Sequence, residues 1–384
     1  MVKKPYHTKF VTTAATTRDN NLFLKKLSSK RLSPPVLHPT TKMRLAVDIM
    51  GGDHGPAVIV NGAFRAIQKC NGAINELHFV GDEEAVQQAL REWKGEPLNE
   101  ELFTIHHTND VLLMMEKPVE GLRRKKNCSL AIAIDLAKKD QVDAVVSPGN
   151  TGGVVAAATI KLRTLPGVDR AGIATVIPRP KGMFLLLDAG ASADCRASHL
   201  LHFAIMGSIY MEEILGVARP RVGLLSVGTE PSKGNELTLE AFPMLEASHL
   251  NFIGNVEGHD LYKDNVDVVV CDGFTGNIVL KTSESLATNM FGWIKQEMTA
   301  TPLRKLGALL CKPAFKPIRH KMNPDTYGGA PLLGVNGNVM ITHGSAKEIA
   351  IENAIGIAIQ EFQHNINKKI TDQIRQQEQP DQAA

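Results

Sequence analysis

The feature that most constrains the fold is a repeated alternation between short apolar segments and helical segments. From Met43 onward, apolar runs such as residues 45–48 and 144–147 lack the polar alternation of a half-exposed strand. Strands of this kind are buried on both faces, and the helices between them cover the faces of a parallel sheet. The pattern therefore predicts an α/β fold in which a mostly parallel sheet is layered between helices.

Polar turns follow most of the predicted strands. The predicted strands are residues 45–48, 77–80, 144–147, 183–187, 222–226, 266–271 and 339–342. The predicted helices are residues 57–70, 83–93, 154–162 and a last helix that ends near residue 367. Six turns rich in Asp, Asn, Ser, Thr and Gly follow Asp48, Ser147, Asp188, Ser226, Cys271 and Thr342. Because ligands of such sheets bind beyond the carboxyl ends of the strands, these turns predict the binding site.

Residues 1–42 differ from the rest of the chain and are predicted to lie outside the enzyme domain. They contain nine Lys and Arg against the single acid Asp19, with many Thr, Ser and Pro residues. We interpret them as a disordered upstream extension, with Met43 as the natural start. An artificial or disordered tail and a basic transit peptide are the alternatives. Residues 43–368 then form a single α/β domain, and residues 369–384 form a polar, frayed tail.

Composition and missing motifs exclude several classes of protein. No apolar run reaches the roughly 20 residues that span a bilayer. The five cysteines form no CxxC pair, which argues against a disulfide framework or a zinc site and favours a reducing compartment. The body after residue 42 carries a net charge of −5, and aromatic residues make up 5%, so nucleic-acid binding is not expected. A dinucleotide fingerprint after the first strand, a Walker loop, HExxH and GxSxG are all missing, so we predict no cofactor and no metal.

Several turns carry residues suited to phosphate chemistry. Residues 150–153 (Asn-Thr-Gly-Gly) and the pair Gly276-Asn277 precede helices, where backbone N–H groups attract anions. Ordinary N-capped turns are the alternative. Residues 233–236 (Lys-Gly-Asn-Glu) place a cation, an amide and a carboxylate together, although a solvated loop would look the same. His54 and His343 stand in Gly-rich turns, where a histidine either supports the turn or transfers protons.

A basic segment over residues 291–321 is unusual. It holds seven Lys and Arg against Glu297 alone, and Trp, Phe, Leu, Ile and Met residues are interleaved with them. Pro302, Pro313 and Pro317 are expected to break it into short helices. Such a segment suits an anionic membrane surface or an acidic protein partner. Two packed helices with solvated lysines are the alternative.

Taken together, the turns resemble those of the bacterial phosphate acyltransferases, the acyl-ACP:phosphate transacylases of the PlsX family. The resemblance covers about residues 43–365 and departs at Pro148, where the family usually has Ala. It also departs at Ser192-Ala193, where Asn-Val is usual, which puts a contact made by that Asn in doubt. The matching stretches are residues 45–56, 147–152, 188–191, 220–225, 233–237, 251–258, 267–277, 327–334 and 343–345.

The resemblance implies a fold related to the phosphotransacetylases and to the isocitrate and isopropylmalate dehydrogenase group, usually assembled as a homodimer. It implies reversible transfer of a fatty acyl group from acyl carrier protein (ACP) to inorganic phosphate. The acyl-phosphate product then passes to a glycerol-3-phosphate acyltransferase in phospholipid synthesis. Residues 291–321 match the family's membrane-contacting helical hairpin, so we expect a cytoplasmic enzyme that is peripherally attached to the membrane.

In the implied reaction, phosphate attacks the thioester carbonyl directly, so the enzyme positions phosphate and stabilises an oxyanion. We assign Lys233 to phosphate or oxyanion charge and His343 to proton transfer. Asn150, Thr151 and Gly152 are expected to cradle phosphate, and Asn255, Asp272 and Asn277 to orient phosphate or the pantetheine arm. The remaining predicted contacts come from the first loop, at Asp48, Gly51, Gly52, Asp53 and His54, and from Asp188, Asn235, Glu236 and Gly276.

Three other functions compete with this hypothesis. The nearest is a short-chain phosphotransacetylase that uses acetyl-CoA, which CoA and ACP thioesters tested side by side would distinguish. A nicotinamide dehydrogenase is allowed by the related fold and would require bound cofactor and hydride transfer. A non-catalytic membrane scaffold would leave six polar strand-end turns without a purpose.

Overall fold

The computed structural model describes residues 42–70 and 72–378, so most of the predicted N-terminal extension lies outside the described residues. The strands are β1 (Met43–Asp48), β2 (Ile74–Gly81), β3 (Phe103–His107), β4 (Ala144–Ser147), β5 (Gly172–Ile173), β6 (Thr175–Pro178), β7 (Met183–Leu187), β8 (Arg221–Leu225), β9 (Asn251–Val256), β10 (Val268–Val270), β11 (Ala330–Leu333) and β12 (Asn338–Ile341). The helices are α1 (Pro56–Lys69), α2 (Glu83–Glu92), α3 (Pro118–Arg124), α4 (Ser129–Lys138), α5 (Thr151–Lys161), α6 (Ala197–Glu213), α7 (Glu236–Glu246), α8 (Gly273–Met298), α9 (Pro302–Met322), α10 (Glu348–Gln363) and α11 (Ile366–Glu378). Short 3-10 turns lie at Glu100–Leu102 and Pro324–Tyr327.

The strands form two sheets, and helices flank them. The first sheet has the order β3-β2-β1-β4-β12-β11-β5, and the second has the order β6-β7-β10-β8-β9. Seven of the strand pairings are parallel and three are antiparallel. The antiparallel strands β5, β6 and β11 lie toward the sheet edges. The predicted α/β fold with a mostly parallel sheet is therefore confirmed, with the strands divided between two sheets.

The inner strands are buried on both faces, as their sequences predict. Leu45, Ala46 and Val47 of β1 have no exposed surface, and all three residues of β10 are fully buried. Each buried apolar side chain of this size contributes about 1.5–3 kcal/mol to folding. Apolar faces of α4, α5 and α6 pack over these strands, which places the strand ends, and not the strand interiors, at the surface.

Strand order reverses at one point in each sheet. From β1 the chain proceeds outward to β2 and β3, and β4 then pairs on the opposite side of β1. From β8 the chain proceeds outward to β9, and β10 then pairs on the opposite side of β8. Crevices form beyond the carboxyl ends of strands where such reversals occur. The turns after β1, β4, β8 and β10 are therefore the places to look for a site.

Two predicted element boundaries need correction. Helix α5 begins at Thr151, three residues earlier than expected, because the Asn150 side chain accepts a 2.9 Å hydrogen bond from Gly153 N–H and caps the helix. The tail predicted from residue 369 is helical as far as Glu378. Ile370 and Ile374 of α11 are fully buried in the core around α6, since apolar residues four apart share one helix face.

The basic segment of residues 291–321 lies in two long helices, and not in the several short helices that its prolines predicted. α8 extends from Gly273 to Met298, Thr301 caps α9, and α9 continues through Pro313 and Pro317 to Met322. An internal proline removes one backbone hydrogen bond, but on an exposed helix water solvates the carbonyl that loses its partner. No residue of α9 is buried, and the only buried residues of α8 are Gly273 and Gly276 at its start. No described helix is both long enough and apolar enough to cross a membrane.

Candidate active site

Asp48 joins the turns that follow β1 and β4. Its carboxylate accepts a 2.7 Å hydrogen bond from Ser147 Oγ and a 3.1 Å hydrogen bond from Met50 N–H. The side chain is 1% exposed, and burial raises the pKa of the Asp48 carboxyl. Asp48 therefore holds the two turns together, and its predicted contact with substrate stays a prediction.

Gly51 permits the two turns to approach each other closely. A Cβ atom at Gly51 would clash with the backbone of Gly149 in the turn after β4. Gly52 is less restricted, because its Cβ would lie 3.0 Å from Ile59 Cδ1 of α1. The predicted importance of Gly51 thus has a physical reason, which is backbone contact across the strand reversal at β1 and β4.

Asp53, His54 and His343 are exposed at the edge of the turns that follow β1, β4 and β12, which we call the first group. Asp53 N–H donates a 2.8 Å hydrogen bond to Gly344 O, which ties the first loop to the turn after β12. His343 Nδ1 lies 2.7 Å from Ser345 Oγ and accepts a 3.2 Å hydrogen bond from Ser345 N–H. The neutral His343 ring therefore carries its proton on Nε2, and all three side chains are accessible to a ligand.

Asn150 is committed to the protein itself. Its amide nitrogen donates to the carbonyl oxygens of Leu113, Met114 and Glu116 at 3.0–3.3 Å, and its oxygen caps α5. The Asn150 side chain is engaged in these contacts, and its predicted role in a phosphate cradle stays a prediction. Thr151 and Gly152 are exposed at the N-terminus of α5 and keep donors for an anion.

A cavity of about 170 Å³ lies at the carboxyl ends of β8 and β10. We call the turns at the ends of β7, β8, β9 and β10 the second group. The cavity volume equals roughly five or six water molecules, which suits a phosphate-sized group. Asn235 and Asp272, which line it, cap α7 and α8 by accepting hydrogen bonds from Thr238 and Thr275. The positive ends of both helices therefore face the cavity. Its lining residues are Leu200, Leu225, Ser226, Val227, Gly234, Asn235, Thr238, Cys271, Asp272 and Thr275.

Lys233 is exposed on the loop beside this cavity. It makes no ion pair within the part of the chain that the structure describes, so its charge is available to an anion. Asn255 is buried beneath the loop, and its amide donates to Glu230 O at 2.9 Å and to Lys233 O at 3.4 Å. Among the residues that the structure describes, its Oδ1 has no hydrogen-bond partner. Asn255 therefore fixes the backbone of Lys233, while Glu236 is exposed in the first turn of α7.

Asp188 organises the turn after β7. Its carboxylate accepts hydrogen bonds from the backbone N–H groups of Ile173, Gly190, Ala191 and Ser192 at 2.7–3.0 Å. It has no exposed surface, and burial raises the pKa of the Asp188 carboxyl. A Cβ at Gly276 would clash with Asp188 O, so only glycine fits there. Asp188 thus supports the turn, while its predicted substrate contact stays a prediction. Asn277 is exposed against Gly190.

The predicted residues thus fall into two groups at the strand ends. The first group belongs to β1, β4 and β12, and the second belongs to β7, β8, β9 and β10. Among the described residues, no hydrogen bond or ion pair joins a predicted residue of one group to a predicted residue of the other.

Sequence reasoning overlooked Ser226, Thr238 and Thr275, which contribute hydroxyl groups to the cavity wall. A signal was present, because Thr238 and Thr275 each stand three residues after a capping Asn or Asp. It also overlooked the loop before α3, which Asn150 holds. No sequence pattern pointed to that contact, because its partners are more than 30 residues apart.

One cluster in the described chain could offer three ligands to a metal ion, namely Glu257, His259 and Asp260 after β9. Asp260 already accepts hydrogen bonds from Lys263 Nζ at 2.9 Å and from Glu257 N–H at 3.0 Å. The ammonium group of Lys263 thus already lies where a metal ion bound to Asp260 would have to lie.

The chain matches known proteins over nearly its whole body. The family described as Fatty acid synthesis protein matches residues 43–369. The phosphate acyltransferase of Desulfitobacterium hafniense is 50% identical over 318 residues, which cover 82% of this chain and 93% of that protein. The phosphate acyltransferase of Aquifex aeolicus is 44% identical over 328 residues, which cover 85% of this chain and 96% of that protein.

Solved structures agree with this fold. A phosphotransacetylase from Streptococcus pyogenes has a TM-score of 0.56 at 17% identity, over 84% of this chain and 94% of that one. A branched-chain phosphotransacylase from Enterococcus faecalis V583 has a TM-score of 0.50 at 14% identity, over 83% of this chain and 99% of that one. At such low identity the likeness shows the fold alone.

Proposed function

The chain belongs to the fatty acid synthesis protein family and is a phosphate acyltransferase, and we propose that it transfers a fatty acyl group from ACP to inorganic phosphate. The observation that carries the proposal is a phosphate-sized cavity between the N-termini of α7 and α8, in a chain of this family. Backbone N–H groups at two helix ends and an unpaired lysine attract an anion.

The chemistry requires no nucleophile from the enzyme. An oxygen of inorganic phosphate attacks the thioester carbonyl carbon, the carbonyl oxygen becomes an oxyanion, and its collapse breaks the C–S bond. The sulfur leaves as a thiolate and is protonated, since a thiol has a pKa of roughly 8.5. The enzyme therefore has to hold phosphate without its hydration shell and stabilise the oxyanion.

We assign the charged step to Lys233, whose ammonium group lies on the loop that Asn255 supports. Asn235, Asp272 and Thr275 shape the cavity, where the helix N-termini complement phosphate charge. Asn277 and Glu236 are exposed near the same helix starts and are assigned to the pantetheine arm of the donor.

The first group of turns supplies a second set of donors. Thr151 and Gly152 offer a hydroxyl and an N–H group at the N-terminus of α5. Asp53 and His54 are exposed on the first loop, and His343 presents its Nε2 proton to solvent. We assign these residues to contacts with donor or phosphate. The imidazolium form of His343 is assigned as the source of the proton that the thiolate takes, which leaves the ring neutral.

The partners of the reaction follow from the same proposal. ACP delivers the acyl group, a homodimer is the working assembly, and acyl-phosphate passes to a glycerol-3-phosphate acyltransferase. The exposed apolar residues of α8 and α9, among them Trp293, Leu303 and Leu310, together with their lysines, support peripheral membrane contact in the cytoplasm.

Donor specificity tests this proposal against the short-chain alternative. Purified enzyme is given hexadecanoyl-ACP or acetyl-CoA with inorganic phosphate, and release of free thiol is followed over time. We expect kcat/KM to be at least about 100-fold higher with the ACP thioester. Faster turnover of acetyl-CoA would replace the proposal with a short-chain phosphotransacetylase.

A further inference from the structure

The loop of residues 109–117, between β3 and α3, presents three consecutive apolar side chains to solvent. Leu113 is 54% exposed, Met114 is 43% exposed and Met115 is 95% exposed. Single exposed apolar residues are ordinary, but three in sequence on one loop form a patch that a soluble protein normally avoids. We name Leu113, Met114 and Met115 the apolar loop.

The backbone of the apolar loop is held in place even though its side chains are not packed. The Asn150 amide donates to the carbonyl oxygens of Leu113, Met114 and Glu116. The Glu116 carboxylate accepts a 2.9 Å hydrogen bond from Leu113 N–H and a 2.7 Å hydrogen bond from Lys125 Nζ. Asn150 is 8% exposed, so these bonds are largely shielded from water. The fold thus fixes the position of three exposed apolar groups.

The anchors also locate the apolar loop at the edge of the first group of turns. Asn150 starts α5 immediately before Thr151 and Gly152. A Cβ at Gly344 would lie 2.5 Å from Met114 Cε and 3.1 Å from the Asp53 carboxylate oxygens. The Met114 side chain therefore contacts the same turn that receives the hydrogen bond from Asp53 N–H.

We propose that Leu113, Met114 and Met115 receive the hydrocarbon chain of the acyl donor. This inference rests on the proposed function, which requires a place for a long apolar chain. The cavity at β8 and β10 holds about 170 Å³ and suits phosphate, so the hydrocarbon lies elsewhere. Each methylene removed from water contributes about 0.8 kcal/mol, and flexible methionines adapt to chains of different length.

The side chains of the apolar loop carry no charge, and the charged groups lie on its flanks. Lys125 and Arg124 both pair with Glu116, at 2.7 Å and 3.2 Å, and Lys117 pairs with Glu120 at 3.2 Å. Arg123 and Lys126 make no ion pair among the described residues, so the flank keeps positive charge. Three consecutive apolar groups suit a hydrocarbon chain, and the flanking cations suit the phosphate that reacts with it.

The test is the dependence of turnover on chain length. The full-length variant with Leu113→Ser, Met114→Ser and Met115→Ser is compared with the unmodified enzyme on hexadecanoyl-ACP and butanoyl-ACP. We expect the ratio of kcat/KM for the long donor to that for the short donor to fall at least about tenfold, mainly through a higher KM. Ile253→Ser, an exposed apolar residue on β9, serves as the matched control and leaves the ratio unchanged.

The single variant Met115→Ser removes the most exposed side chain and keeps the test valid if the triple variant does not fold. We expect it to lower the same ratio at least about twofold. An unchanged ratio in a folded variant would overturn the inference. If the ratio stays the same while vesicle binding is lost, the apolar loop contacts a membrane instead. If the ratio stays the same while the oligomeric state changes, the apolar loop contacts a second copy of the chain instead. If the unmodified enzyme forms no acyl-phosphate from any donor, the proposed function itself fails.

Discussion

Lys233 is the side chain on which the proposed chemistry depends most. Its ammonium group has no acid partner in the described chain, and Asn255 fixes its backbone beside the phosphate-sized cavity. A preorganised charge of this kind stabilises an oxyanion by several kcal/mol. The buried acids Asp48 and Asp188 have the opposite character, because their hydrogen bonds are made to the protein.

Replacing Lys233 tests its role directly. Lys233→Ala is expected to lower the rate of acyl-phosphate formation at least ~100-fold, because developing negative charge loses its partner. Lys94→Ala is the control, because Lys94 is an exposed lysine in the loop after α2 and is distant in sequence from Lys233. We expect this control variant to retain activity. A change under threefold in folded Lys233→Ala would refute the assignment.

Glu361 predicts how stability responds to pH. It is 3% exposed on α10, and its Oε1 has no hydrogen-bond partner in the described part of the chain. Burial raises the pKa of its carboxyl from 4.5 to about 8. The folded state therefore binds the proton more tightly than the unfolded state does. The free energy of unfolding must then fall as pH rises from 4.5 to 8, by about 3 kcal/mol at pH 7.

Glu361→Gln removes this titration and should flatten the pH profile over that range. Urea unfolding at pH 5 and pH 8 measures it, and the variant should be more stable than the unmodified enzyme at pH 8. Glu240→Gln, at an exposed acid of α7, is the control. Parallel pH profiles for Glu361→Gln and the unmodified enzyme would show that Glu361 is not held as a neutral acid.

The two helices of residues 273–322 are the elements most different from the rest of the fold. Leu303, Leu309 and Leu310 are all more than half exposed, and basic residues flank them. Apolar side chains with lysines at their margins insert into the interface of an anionic membrane. Each lysine near such a surface contributes about 1 kcal/mol of binding.

Charge reversal in α9 should detach the enzyme from membranes. Lys305→Glu, Lys312→Glu and Lys316→Glu together are expected to lower binding to vesicles that contain anionic lipid by at least tenfold, while turnover of acyl-ACP in solution is kept. The same reversal at exposed Lys94, Lys126 and Lys368 is the control, because it changes the net charge equally. Undiminished vesicle binding in the α9 variant would contradict the membrane proposal.

The sequence predicted the inner, apolar strands well, but it missed the edge strands β3, β5, β6 and β9 and the neighbouring β11. It predicted helix interruptions and side-chain partners less well. Apolar runs such as Met183–Leu187 are stable only when they are buried, so the local sequence of apolar residues was enough to predict where these strands lie. Pro313 was expected to end a helix, but exposure to water reduces the cost of the lost hydrogen bond. The contacts of Asn150 and Asp188 could not be predicted, because their partners are distant in sequence and are brought near only by the tertiary fold.

The molecule as a whole consists of two sheets with their flanking helices, and the predicted site residues lie in two separate groups of turns. Two sheets each reverse strand order once, and the turns at those reversals carry the phosphate-sized cavity and His54. His343 follows β12, and the apolar loop follows β3. Sequence pattern was sufficient for the α/β fold and for the turns, because strand ends are recognisable locally. The proposed assignment of phosphate and of the acyl chain to particular parts of the chain required the structure.

Transfer of the acyl group from the thioester to inorganic phosphate is the central claim, and isotope labelling measures it. The enzyme is incubated with hexadecanoyl-ACP and inorganic phosphate in which all oxygens are ¹⁸O, and the product is identified by mass spectrometry. We predict hexadecanoyl-phosphate that retains all the labelled oxygens of phosphate, formed in step with free ACP thiol. Thiol release that yields only the free fatty acid, or no thiol release, would contradict the account.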